Sequence, residues 1–182
     1  MIDLLPALKT IFEADSITQG GDNSKQAIYV DYGNYDAFSD YLQNWNDYPF
    51  IFFDVDNEQD YATSDNFNDS YVQKLSVVGY VGVLHTDNIR DAWRVNYIGD
   101  TDEWGFLELV EEVRRILYTN KTIAAPDINY VIVNGQEPSN FRYRRSITPL
   151  STGGNVIIAE FNIDYFRIRE LFPNTSHKYS HT

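Results

Sequence analysis

Between Tyr71 and Arg169 the chain changes hydrophobic period twice, from two to 3.6 and back to two. Leu75, Val77, Val81 and Val83 share one face of a strand expected over Tyr71 to His85. Phe106, Leu109, Val110, Val113, Ile116 and Leu117 form one stripe of a helix expected over Trp104 to Tyr118, with Glu108, Glu111, Glu112 and Arg115 opposite. From Asp127 to Arg169 strand character returns. A helix in that position buries its stripe against the sheet that the flanking strands make. The expected class is α+β: an antiparallel or mixed sheet with helices packed on one face, in a single domain.

The first half fits the same plan. Leu4, Leu5, Leu8, Ile11 and Phe12 have helical spacing, and Pro6 is tolerated in the first turn. Ser16 to Lys25 reads as a loop, and Ile28, Val30 and Tyr32 alternate as a short strand. Asn34 is placed to cap a second helix with the stripe Phe38, Tyr41, Leu42 and Trp45. Pro49 leads an apolar run, Pro49 to Val55, of buried-strand character. Asn57 to Ser70 is polar enough to be a projecting loop, and Thr86 to Asp102 a second one, ending in Thr101 or Asp102 as a helix cap. Gly79 and Gly82 inside a strand imply a bulge, a bend or a close backbone approach.

Past the helix, Ile128, Tyr130 and Ile132 lead to Asn134-Gly135, a hairpin-turn signal, after which Phe141 and Tyr143 resume alternation. Gly153-Gly154 marks another turn before a long last strand, Val156 to Ile168, so the end of the chain reads as a meander. Residues 1–172 form the expected domain, and 173–182 an expected flexible tail.

Composition excludes several classes. At 182 residues with 43% hydrophobic and 15% aromatic content, the chain has the material for one core and is not disordered in character. No apolar run approaches the roughly 18 residues of a membrane span, so no membrane partner is expected. The N-terminus has no basic region before its apolar part and does not read as a secretory signal; an intracellular protein is expected. With no cysteine, thiolate metal sites and thiol nucleophiles are excluded. A formal charge of −13 opposes ordinary nucleic-acid binding. Solubility alone explains such a charge. So does mimicry of DNA, or a passage that DNA crosses without adhering.

Catalytic chemistry finds few residues. The histidines are His85 at a strand end and His177 and His181 in the tail. Asp54, Asp56, Glu58, Asp60 and Asp65 have the alternation of a calcium loop, but Gln59 stands where the sharp turn needs glycine and Asp65 where a bidentate glutamate is wanted. A solvated strand exit explains the run as well. No phosphate-cradling glycine motif occurs. The expectation is a protein that is not an enzyme and has no cofactor and no metal. Arg142, Arg144 and Arg145 are the densest basic cluster, suited to an acidic neighbouring subunit or to the chain's own carboxylates.

The order of N-terminal helix, Pro-led strand at Pro49 to Phe53, alternating strand at Leu75 to Leu84, helix at Trp104 to Tyr118 and closing strand at Val156 to Ile168 resembles bacteriophage tail terminator, or tail-completion, proteins. The resemblance covers most of residues 1–170. It implies a virion protein, assembled in the host cytoplasm, that forms a homo-hexameric ring. Such a ring caps the tail tube, stops its polymerisation and joins tail to head. Its implied partners are its own copies, the tail tube protein and a head-completion or connector protein, while DNA passes through without specific binding. A different neck or head–tail connector has the same element order, and a DNA mimic that inhibits a host nucleic-acid enzyme has the same charge. Candidate interface residues are Asp60, Asp65, Asp69, Asp87, Arg90, Asp91, Arg142, Arg144 and Arg145.

Overall fold

The computed structural model describes residues 4–15, 25, 27–43, 48–62, 70–85, 97–99, 102–125, 128–132, 143–151 and 154–170. The elements in chain order are α1 (Leu4–Ala14), β1 (Tyr29–Tyr32), α2 (Tyr35–Leu42), β2 (Phe50–Ala62), β3 (Ser70–His85), α3 (Phe106–Thr119), β4 (Thr122–Ala125), β5 (Ile128–Ile132), β6 (Tyr143–Pro149) and β7 (Asn155–Glu170). Seven strands make one mixed sheet in the order β1-β2-β3-β7-β5-β4, with β6 also on β7. Among the described residues, only β1 and β2 run parallel. They are joined through α2, since parallel neighbours need a crossover. The expected α+β architecture is the one observed.

Alternation along β2 separates the two faces. Ile51 and Phe53 join Leu75, Val77, Val81, Ile157, Phe161 and Tyr165 under α1 and α3, whose buried stripes are Leu4, Leu8, Phe12 and Phe106 to Leu117. Helix α1 touches β1 and β4, the two ends of the strand path, so the sheet coils around it. Phe50 and Phe52 point the other way, where Phe38 of α2 packs on them and stacks on Tyr80 at 4.1 Å between ring centroids. Two helices therefore share the expected face and α2 covers the opposite one. Asn34 caps α2 as expected, accepting from the Ala37 amide at 3.0 Å.

Other expectations change in detail. The polar run after Val55 is strand, because its backbone groups pair with the β-prone segment Tyr71 to Ser76; Asn57 to Ala62 and Ser70 of the expected loop belong to β2 and β3, and residues 63–69 lie outside the described set. A register shift at Val55/Asn57 sets Asp56 aside as a bulge. Helix α3 is capped by Gly105, not by Thr101 or Asp102. Strands β5 and β6 do not form the expected hairpin with each other. Both run antiparallel to β7 along one of its sides, β5 at Tyr165 and Phe166 and β6 from Phe161 to Asn155. They are two segments of one strand position, and β4, unforeseen, pairs with β5. The last strand is thus central to the sheet. Its entry turn is as expected, with Gly154 at φ 82° and the Leu150 amide donating to Gly154 O at 3.2 Å.

The main core carries one internal cost. Tyr165 is fully buried, and its hydroxyl has no partner among the described residues. Burial pushes the phenol's pKa well above its ordinary value. A phenol harder to ionise in the fold than in the unfolded chain leaves stability untouched below about pH 10, then lowers it by about 1.4 kcal/mol per pH unit above that. Tyr165→Phe is expected to raise neutral-pH stability by about 1 kcal/mol, by deleting an unsatisfied hydroxyl, and to flatten the alkaline decline. Urea unfolding from pH 7 to 11 reads both; a destabilised variant with an unchanged slope contradicts this account.

Candidate interaction surface

The charged groups of the sheet sit on strands rather than in a cleft, and the strand register decides which of them meet. Beyond α2, the face opposite α1 and α3 exposes a polar field. Asp164 on β7 is held twice, by Lys74 Nζ at 2.7 Å and by the Ser76 hydroxyl, which donates at 2.6 Å. Glu160 and Asn162 precede it on the same side of β7, and Asp54 lies across β3 opposite Val78. With Lys74 satisfying Asp164, the field is mixed in sign and not a uniform array of carboxylates.

Strand β6 is mostly exposed, with Ile147 at 50%. Its alternation sends Arg144 and Arg145 to opposite faces. Arg145 donates to the Tyr97 hydroxyl at 3.0 Å and lies over its ring, 5.5 Å from the centroid. Tyr97 in turn stacks on Phe106 at 5.7 Å, so Arg145 is oriented by the start of α3. Arg144 stands opposite Glu160 in the ladder but forms no ion pair among the described residues.

The start of α3 is built as a knot. Glu108 reaches back to the Gly105 amide at 3.4 Å and pairs with Lys25 through both oxygens, at 2.6 and 2.5 Å. The Lys25 ammonium also lies over the Trp104 ring at 4.9 Å. Its side chain is only 8% exposed, so the pair and the ring together replace its hydration. On the outer side of α3, Glu111 and Arg115 stand at i,i+4, the spacing of a helical ion pair, yet each bonds another partner. Arg114 bonds Glu111 at 2.8 Å, while Arg115 bonds Glu112 at 2.7 Å and Asp15 of the α1 end at 2.8 Å. Burial pulls the Arg115 pKa down, but the two carboxylates outweigh it and hold the group above its ordinary value.

Of the expected interface residues, Asp60 lies in β2 opposite Gln73 instead of in a loop. Asp65, Asp69, Asp87, Arg90, Asp91 and Arg142 lie outside the described residues. The calcium-loop pattern is not realised from Asp54 to Asp60, since a laddered strand cannot curl its oxygens around one ion; Asp65 lies outside the described residues. Among the described residues no three His, Asp or Glu gather as a cation set, and no helix is long and apolar enough to cross a membrane. His85 is buried at the end of β3, opposite Asn155.

No protein-family model matches the sequence, and no curated protein matches it. What the surface can do is therefore argued from its own chemistry. Sequence periodicity missed the Lys25–Glu108–Trp104 knot, the Lys74–Asp164 pair and the Arg145–Tyr97 contact. Each joins residues distant in the chain, and nothing in the sequence beyond the presence of both partners signals it.

Proposed function

We propose that this chain is a structural subunit of a bacteriophage virion, of the tail terminator type. As a ring, six-membered by resemblance, it caps the tail tube, stops its polymerisation and joins tail to head. The supporting observation is the element order: α1, the Pro-led strand β2, the alternating strand β3, α3 and the closing strand β7 occur in that order around a single sheet, with β1 and α2 ahead of β2 and β4 to β6 ahead of β7. The net charge of −13 suits a passage through which duplex DNA slides, because few cations are left over to hold its phosphates. Asp60, Arg144 and Arg145 remain the proposed contact residues within the described part of the chain. Tail tube and head-completion proteins are the proposed neighbours.

Light scattering across a wide concentration range tests the reading. The expected result is a particle of six times the 21.1 kDa subunit mass. A monomer at every concentration, with or without tail-tube subunits added, removes the ring. Another neck or connector protein is the near alternative and is separated by which neighbour it binds. The DNA-mimic reading predicts a basic partner captured at low salt and released at high salt; the Lys74 ammonium on Asp164 weighs against it.

A further inference from the structure

Among the described residues β1, β4 and β6 are each paired on one side only, and β1 and β6 lie at the same level of the sheet. Five strands cross that level in register. One row runs Asp31, Phe52, Tyr80, Glu160, Arg144, and another Tyr29, Phe50, Gly82, Ile158, Ser146. The edges differ in charge. The β6 side carries Arg144 and Arg145, while the β1 side carries Asp31, which Lys9 of α1 pairs at 3.3 Å but leaves 44% exposed, followed by exposed Asp36 and Asp40 on α2. Tyr29 and Tyr32 of β1 are also exposed, at 42% and 37%.

Charges and a proline on an edge strand ordinarily block pairing, and Arg144, Arg145 and Pro149 would do so for β6 against another β6. They do not block pairing with an acidic edge. We propose that β6 of one copy pairs with β1 of the next copy, extending the sheet from subunit to subunit with Arg144 beside Asp31. The inference rests on the ring-forming reading above and names the contact that would build it. Strand directions agree: β1 runs with β2, and β3, β7 and β6 reverse in turn, so β1 and β6 are antiparallel. Two copies in the same orientation therefore meet as an antiparallel ladder. The contact is head-to-tail, the kind that closes into a ring when each step turns the next copy. An exposed arginine near an exposed tyrosine repeats across copies the chemistry that Arg145 and Tyr97 display within one.

The chain's lack of cysteine makes the test direct. Tyr29→Cys with Ser146→Cys places one thiol on each edge, opposite one another in the paired register, and leaves the charges intact. Mild oxidation is expected to give a covalent ladder of oligomers that stops at the closed ring. Arg144→Glu or Asp31→Lys alone should weaken assembly about tenfold or more, and the double variant should recover it. Circular dichroism checks that each variant is folded. If the unmodified chain assembles but the double-cysteine variant gives no ladder, and the single charge variants keep their mass, the edge contact is wrong while the ring stands. A wild-type monomer at every concentration, with no ladder from the double-cysteine variant, overturns both.

Discussion

Gly105→Ala is expected to destabilise the fold by about 3 kcal/mol or more, although alanine is the better helix former. The backbone at Gly105 is extended, φ −84° and ψ 152°, a conformation any residue adopts, so conformational freedom is not the reason. Space is the reason. A Cβ there would overlap the backbone carbonyl of Ile98 and the amide nitrogen of Gly99. Both belong to the turn that bridges Gly99 to Trp104, and backbone atoms cannot rotate aside as a side chain does. Gly105→Ser sharpens the test. Serine at a helix N-cap normally adds stability over glycine, whereas here it should destabilise nearly as much as alanine. Urea unfolding of both variants reads the outcome; a serine variant at wild-type stability would sink the steric argument.

The same substitution reaches the interaction surface. The turn it displaces carries Tyr97, which orients Arg145, and it adjoins the Trp104 ring under Lys25. A shift of that turn is expected to free Arg145 without touching β6 itself. The exposed edge and the buried helix start are mechanically one unit, although 40 residues separate Gly105 from Arg145 in the chain.

How much of this was readable in the residues follows a physical division. Periodicity encodes burial, so the stripe Phe106 to Leu117, the helix Leu4, Leu8 and Phe12, and the long strand through Ile157 to Tyr165 all emerged with the faces they have. Glycines inside a strand implied a bulge, a bend or a close backbone approach, whereas the ladder runs through Gly79 and Gly82 in register and it is the Phe161 and Phe50 rings that lie over them. Pairing is different, because a ladder is built from backbone groups that every residue carries. Asn57 to Ala62 looked like loop since its side chains are polar, yet β3 supplies it a full row of partners. A turn signal reports that a chain bends and not which strand it then joins. For that reason β6 was expected on β5 and is found on β7. The four-residue strand β4 is too short to display a period. Ion pairs on α3 followed i,i+3 spacing where i,i+4 was equally open, as Arg114 took Glu111 and Arg115 took Glu112.

Gly79→Ala is expected to cost about 2–3 kcal/mol, and the location of the obstacle makes the cost testable. Gly79 faces Phe161 directly across the β3–β7 ladder, and an added Cβ would enter the Phe161 ring. That ring cannot move away easily. It is 1% exposed and meets Phe53 edge to face at 6.4 Å, while Phe53 is in turn pressed against Phe12 of α1 at 5.1 Å. The glycine is thus the seat of an aromatic column that ties the central strand pair to the first helix. Phe161→Leu alone should cost about 1–2 kcal/mol through lost burial. It also vacates the space the new methyl needs, so the double variant should be more stable than the sum of the two losses predicts, by about 1–2 kcal/mol. A double-mutant cycle in urea measures that coupling. Strict additivity would mean that the ring is not what Gly79 makes room for. A matching cycle with Gly82 and Phe50 on the other face is expected to couple in the same sense, because Phe50 covers Gly82 there, packed between Tyr48 and Phe38.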